Sequence, residues 1–171
     1  LAEGAAVAIC SRNKKELEAL QAADSRVLAI PCDISNSQQV QDLVKAVEQE
    51  YGVVDILVNN ASRLGPRVPI AEYPLNEWDE TMQTNANGAF FLTRLLIPLM
   101  KRQKSGSIIN VSSSVGKAGR ARWGAYAVSK FALEGFTQVL AEELKQHNIT
   151  VNAVNPGSMA TDFRREAFPE E

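Results

Sequence analysis

Five short apolar runs alternate with longer amphipathic stretches along the chain. The runs are AAVAIC (5–10), RVLAIPC (26–32), VDILVNN (54–60), SIINVSS (107–113) and ITVNAVN (149–155). Each is of strand length and nearly continuous in apolar residues, the pattern of strands buried on both faces. Between them, KKELEALQ, SQQVQDLVKAVEQEY, a long stretch near 75–104 and the segment 124–147 carry helical spacing. In the second of these, Val40, Leu43, Val44, Val47 and Tyr51 form one apolar stripe, with Ser35 expected as the N-cap and Gly52 as the stop. Strand and helix alternating in this way predict an α/β fold built on a doubly wound parallel sheet, an α/β/α arrangement of three layers. Right-handed crossovers then bring every strand C-terminus to one edge, where ligands of such sheets bind. The expected strand ends are Cys10-Ser11-Arg12, Cys32-Asp33, Asn59-Asn60-Ala61, Ser112-Ser113-Ser114 and Asn155-Pro156-Gly157, a row of small polar residues, Gly and Pro. No repeat, low-complexity segment or linker breaks the pattern, so residues 1–171 are expected to belong to a single domain.

Composition narrows the function classes. A length of 171 residues suits one sizeable core, and 45% hydrophobic with 22% charged residues is ordinary for a globular chain. A net charge of −2 gives no electrostatic case for nucleic acid. No apolar run approaches the roughly 20 residues of a membrane span, and no signal peptide is visible. Cys10 and Cys32 both fall in expected buried strands and read as reduced core thiols, which suits a cytoplasmic protein. The chain opens LAEGAAVAIC without an initiator Met and closes FPEE, so the domain is expected to be partial, incomplete at both ends.

Candidate chemistry centres on YAVSK, residues 126–130, inside an amphipathic helix. The i, i+4 spacing puts Tyr126 and Lys130 on one face. A phenol with a reference pKa near 10 is a poor acid–base catalyst at neutral pH, and an adjacent ammonium would stabilise its phenolate. Taken alone, the pair is a weak signal and reads first as a surface Tyr and Lys touching by chance. Ser113 lies thirteen residues earlier at a strand end, where its hydroxyl could hold a substrate carbonyl or simply satisfy a turn.

SIINVSSSVG followed by YAVSK resembles the short-chain dehydrogenase/reductase family, which is recognised by Ser, then Tyr-x-x-x-Lys, with an Asn on the preceding helix. The resemblance extends over nearly the whole chain. TNANGAFFLTRLLIPLM looks like the family's long helix, with Asn85 completing a catalytic tetrad and extending a proton relay through a water near the Lys. VNNAS resembles the family's NNAG motif, which supports the sheet and lines the adenosine side of the cofactor through Asn59 and Ala61; Ser62 stands where the family has Gly. The resemblance further implies Asp33 at the adenine ring, Pro156 and Gly157 along the nicotinamide wall, and Thr161 at the carboxamide or phosphate. Tyr126 and Lys130 would also contact the nicotinamide ribose side. The family's glycine-rich turn would lie upstream of Leu1, so the chain is expected to be part of a longer protein. Across SSSVGKAGRARWGAYAVSKFALEGFTQVLAEEL the chain looks more like a bacterial branch of uncharacterised oxidoreductases than like the β-ketoacyl reductases.

Cofactor choice turns on AVAICSRN. Folds of this kind that prefer NAD place an acidic residue at the strand end, whereas Arg accommodates a 2′-phosphate. Here Ser11 and Arg12 stand there, which favours NADP(H), with NAD(H) as the alternative and a solvated helix-start cation as the plain reading of Arg12. The expected function is an NADP(H)-dependent oxidoreductase that interconverts a carbonyl and a secondary alcohol. The rival is a non-catalytic nucleotide-binding or scaffold protein of the same fold. A serine hydrolase is disfavoured because no G-x-S-x-G elbow is present, and the sole His147 reads as solvated. Arg120, Arg122 and Trp123 either border the substrate mouth or serve as surface or subunit-contact residues. By resemblance the protein would form a homodimer or homotetramer through the helices near 84–104 and 126–147, where Phe131, Phe136 and Val139 offer apolar surface.

Overall fold

In the computed structural model, which describes residues 2–157, 159, 165 and 167, strands and helices alternate from the first element. They are β1 (Val7–Ser11), α1 (Lys14–Ala23), β2 (Val27–Pro31), α2 (Ser37–Tyr51), β3 (Ile56–Asn59), α3 (Leu75–Met82), α4 (Gly88–Gln103), β4 (Gly106–Val111), α5 (Gly124–Leu144) and β5 (Ile149–Val154). The apolar runs therefore located every strand, within a few residues at each end.

All strand pairs are parallel, in two ladders: β1 with β2, and β3–β4–β5 with β4 in the middle. The expectation of strands buried on both faces holds only in part. Along β3, Leu57 and Asn59 are buried while Ile56 and Val58 are 61% and 50% exposed. Alternation along a strand explains this: one face meets the helices, and nothing among the described residues covers the other. The main core lies on the covered face, where Leu57, Ile108, Ile149 and Val151 meet Val44 of α2, Leu96, Leu99 and Met100 of α4, and Leu140 and Leu144 of α5. A second cluster packs Val40, Leu43 and Val47 of α2 against Cys32, with Cys10, Leu28 and Ile30 at its margin.

Local chemistry sets the helix ends. Gly52 ends α2 in the left-handed region (φ 69°) and donates its N–H to the Glu48 carbonyl at 2.9 Å. The N-cap of α2 is Asn36 rather than the expected Ser35. Its Oδ1 accepts from the N–H groups of Gln38 and Gln39 at 3.0 and 3.1 Å. Ser35 instead turns back to Asp33, giving both its N–H (2.9 Å) and its hydroxyl (2.7 Å) to the carboxylate. A carboxylate two residues upstream outcompetes the helix end for that hydroxyl.

A chain of buried amides and hydroxyls runs across the sheet under the strand ends. Asn59 donates to Thr93 Oγ1 (3.0 Å) and to Asn110 Oδ1 (2.8 Å), and Asn110 donates to Thr137 Oγ1 (2.8 Å). Thr137 passes its own proton to the Leu133 carbonyl at 2.7 Å. The chain ties β3, α4, β4 and α5 together with each side chain satisfied, the condition under which a buried polar network stabilises.

Both cysteines are free thiols, as expected from their strand positions. Burial pushes Cys32 up to about 11 and raises Cys10 as well. Since the thiolate is the reactive form, neither is expected to react with iodoacetamide at pH 7.5 in the folded protein, and both should react in 6 M guanidinium. Mass spectrometry checks this; rapid native labelling of Cys32 would contradict its packing. Among the described residues no helix is long and apolar enough to cross a membrane, and no cluster of three or more His, Cys, Asp or Glu could hold a metal ion.

Candidate active site

The parallel ladders bring Ser11, Asn59, Val111 and Val154 to strand C-termini, and the expected site residues gather around them. Beyond β4 the chain makes a short 3-10 turn, Ser114–Gly116, and Ser113 caps it through its Oγ, which accepts from Val115 N–H at 3.4 Å. That turn lies directly against α5. A Cβ on Gly116 would come within 3.0 Å of both the Cβ and the carbonyl oxygen of Lys130, so only glycine allows this approach. Ser113, Tyr126 and Lys130 are thereby held in one rigid unit.

Tyr126 and Lys130 are 6% and 2% exposed, so the pairing is not a surface contact. The Lys130 ammonium donates to the Val111 carbonyl at 2.8 Å and lies 5.5 Å from the centre of the Tyr126 ring. Burial without a carboxylate partner brings its pKa down to about 8. The Tyr126 phenol is raised by burial, and a side-chain hydrogen bond with Ser113 opposes that rise. The sequence argument had the ammonium lowering the phenol. In this arrangement desolvation governs instead, and the phenol stays protonated at neutral pH, the form a proton donor needs.

The lysine makes its own stability signature. A folded-state pKa of about 8 against 10.5 unfolded means the folded chain binds fewer protons between those values. Unfolding free energy therefore rises with pH across that window, by at most about 1.4 kcal/mol per unit, and the cost of burying the charge is fully felt below pH 8. Urea unfolding of wild type and Lys130→Met should show the variant ahead at pH 7, with the gap closing by pH 10. Parallel curves would remove Lys130 as the source.

Asn85 is buried at the start of the long helix, between the segment after β3 and α5. It sits in a π-helical turn, Gln83–Asn87, at the head of α4 and is 2% exposed. Its Oδ1 accepts from Arg63 N–H (2.8 Å), and its Nδ2 donates to the Arg63 carbonyl (2.9 Å) and to Ser129 Oγ (3.0 Å). The side chain thus clamps the segment after β3 onto α5. Ser129 in turn donates to the Tyr126 carbonyl at 2.7 Å. Ser129 and Arg63 were not anticipated. A fully buried Ser in mid-helix, where Ser is a poor helix former, is the one clue the sequence held for the former. Arg63 pairs with Glu77 and Glu80 of α3, contacts too distant in sequence to be read from spacing.

The expected cofactor residues divide. Ser11 is half-buried at the end of β1, its Oγ accepting from Asn13 N–H at 3.1 Å, and Arg12 beside it is exposed. Asp33 follows β2; its hydrogen bond with the Ser35 hydroxyl holds its carboxyl below the usual range, with the charge of Arg12 contributing. Asn59 spends its amide on the sheet, as described above, so its side chain supports rather than faces a ligand. Ala61, Pro156 and Gly157 are exposed beyond β3 and β5. Thr161 lies outside the described residues.

Helices alternating with parallel strands, and polar groups gathered at the strand C-termini, place the chain among Rossmann-like α/β proteins. The sequence matches the short chain dehydrogenase family over residues 1–171, and the chain belongs to that family. It is 44% identical over 135 residues to Uncharacterized oxidoreductase YciK of Escherichia coli K12, a stretch that covers 79% of this chain and 53% of that protein. The chain thus matches about half the length of this relative. Among solved structures, a short chain dehydrogenase from Pseudomonas syringae is 41% identical with a TM-score of 0.91, over 99% of this chain and 72% of the other. One from Escherichia coli CFT073, complexed with NADPH, is 38% identical with a TM-score of 0.90, over 98% and 72%.

Proposed function

We propose that the protein carrying this chain is an NADP(H)-dependent oxidoreductase that interconverts a carbonyl and a secondary alcohol. The observation that carries this reading is the unit of half-buried Ser113 with buried Tyr126 and Lys130, Tyr126 being neutral and hydrogen-bonded to Ser113. The groups at the β1 end fit a dinucleotide bearing a 2′-phosphate: a hydroxyl and an exposed guanidinium side by side, with no carboxylate at that strand end. The NADPH held by the Escherichia coli CFT073 structure supports the same choice.

In this reading the nicotinamide supplies or accepts the hydride at the carbonyl carbon. Every other task falls to the chain. Ser113 donates a hydrogen bond to the substrate oxygen, fixing it beside the phenol. Tyr126 gives that oxygen its proton in reduction and takes it back in oxidation. Lys130, anchored on Val111, provides positive charge beside the ring as phenolate character develops. Asn85 acts as a positioning residue, holding Arg63 and Ser129 so that α5 cannot drift from the strand edge.

The same reading puts residues 1–171 within one domain of a cytoplasmic enzyme, which the two free thiols, half-buried Cys10 and buried Cys32, support. It also assigns α4 and α5 to a subunit contact in a homodimer or homotetramer. Phe90, Val128, Phe131 and Val139 expose apolar surface there, beside a shallow hollow lined by Ala86, Asn87, Phe90, Ala132, Leu133 and Phe136. Light scattering on the full-length protein tests the contact, and a monomer contradicts it.

The test of function is NADPH and NADH oxidation by the full-length protein against a panel of aldehydes and ketones. Turnover with NADPH preferred is expected. Tight NADPH binding with no turnover across the panel would instead support the non-catalytic reading.

A further inference from the structure

Between Glu80 and Glu134 the sequence holds eight Lys or Arg residues and not one Asp or Glu. The loop leading into α5 lies within this stretch, and its Lys117, Arg120 and Arg122 are all exposed. Uncompensated like charges repel one another. Outside this loop arginines meet carboxylates: Arg26 with Asp24, Arg63 with Glu77 and Glu80, and, within the basic stretch itself, Arg102 with Glu48. Among the described residues Lys117, Arg120 and Arg122 form no ion pair.

The position of Arg120 gives this charge a direction. Its guanidinium carbon lies 5.8 Å from the centre of the Trp123 ring, and that of Arg67 lies 4.8 Å from the same ring. Trp123 is 7% exposed, and its ring centre is 5.7 Å from that of Tyr126. Two contacts therefore lead from the exposed Arg120 to the buried phenol. A guanidinium resting on an indole keeps its in-plane N–H groups open to a carboxylate or phosphate. Arg67 gives one of its N–H groups to the Ala167 carbonyl, so it braces the platform, while Arg120 is the presented fork. The cation–π contact thus holds Arg120 beside a ring that packs on Tyr126.

We propose that Arg120, seated on Trp123 beside Arg67, recognises an anionic group of the substrate. The preferred substrates are then carbonyl compounds that carry a carboxylate or phosphoryl group a few bonds from the reacting carbon. This rests on the oxidoreductase reading above and names the substrate class for the same site.

The experiment compares 4-carboxybenzaldehyde with benzaldehyde as substrates of the full-length protein at low salt. A kcat/KM ratio of about ten or more in favour of the charged aldehyde is expected, the scale of one charge-assisted hydrogen bond. The ratio should fall towards one in Arg120→Gln and part of the way in Arg120→Lys, which keeps the charge and loses the fork. A wild-type ratio of one or less, or an unchanged ratio in Arg120→Gln, overturns the proposal.

A second readout separates this idea from the enzyme assignment. Residues 1–171 hold two tryptophans, so Trp78→Phe, with any tryptophan outside these residues also replaced by Phe, leaves Trp123 as the reporter for a benzoate titration. Saturable quenching that disappears with Arg120→Gln supports the anion site even if neither aldehyde is reduced, in which case the oxidoreductase reading alone falls. Reduction of both aldehydes at equal efficiency, without benzoate quenching, sinks the anion site and leaves the reductase standing.

Discussion

Tyr126→Phe in the full-length protein is expected to lower kcat for carbonyl reduction by about a thousandfold while leaving NADPH affinity within about threefold. The magnitude is that of a positioned general acid, whose removal costs roughly 10²–10⁴ in rate. The substitution deletes one oxygen and leaves the ring, which packs on Trp123 at 5.7 Å and is buried with Leu64, Val115 and Ala127. Folding loses the hydrogen bond with Ser113, about 1 kcal/mol. Activity and stability should thus separate cleanly. The measurement is single-turnover NADPH oxidation beside a cofactor titration, and a variant that keeps a tenth of wild-type kcat would remove Tyr126 from the proton-donor role.

Asn110→Ala is expected to destabilise the fold by about 3–5 kcal/mol, measured by urea unfolding at pH 7. Asn110 is fully buried in the middle strand of its ladder. Deleting its amide strands one Asn59 donor at 2.8 Å on one side and removes the donor to Thr137 on the other, also at 2.8 Å. Each orphaned buried group costs about 1–3 kcal/mol, and the lost volume adds to that. Thr137→Ala should cost less, about 1–2 kcal/mol, because only the end of the chain is cut. The double variant should then be milder than the two losses added together, since the groups share one network. Additive losses would mean that the hydrogen bonds act singly.

Much of the fold was legible because strand and helix periods are local. The stripe Val40, Leu43, Val44 and Val47 is buried as read, and Gly52 stops α2 because a left-handed residue is needed there. What escaped was competition between neighbours. Ser35 and Asn36 both qualify as caps, and the choice between them lay with Asp33, which captures Ser35. At the site, Ser113, Tyr126 and Lys130 were visible through spacing along one helix and one strand end. The posting of Asn85 was not, because its partners Arg63 and Ser129 lie 22 and 44 residues away. Nor could spacing show that burial raises the Tyr126 phenol while a hydrogen bond with Ser113 opposes the rise.

The open side of β3 bears on handling the chain by itself. Among the described residues β3 is bonded to β4 alone, and β1 to β2 alone, so each leaves a row of backbone N–H and C=O groups without a ladder. Ile56 and Val58 add exposed apolar side chains to that row on β3. Such an edge accepts any extended peptide with alternating hydrophobicity, including another copy of itself. Prepared in isolation, residues 1–171 would be adhesive: the same strand whose Asn59 anchors the buried amide chain would nucleate fibrous or amorphous association in concentrated solution.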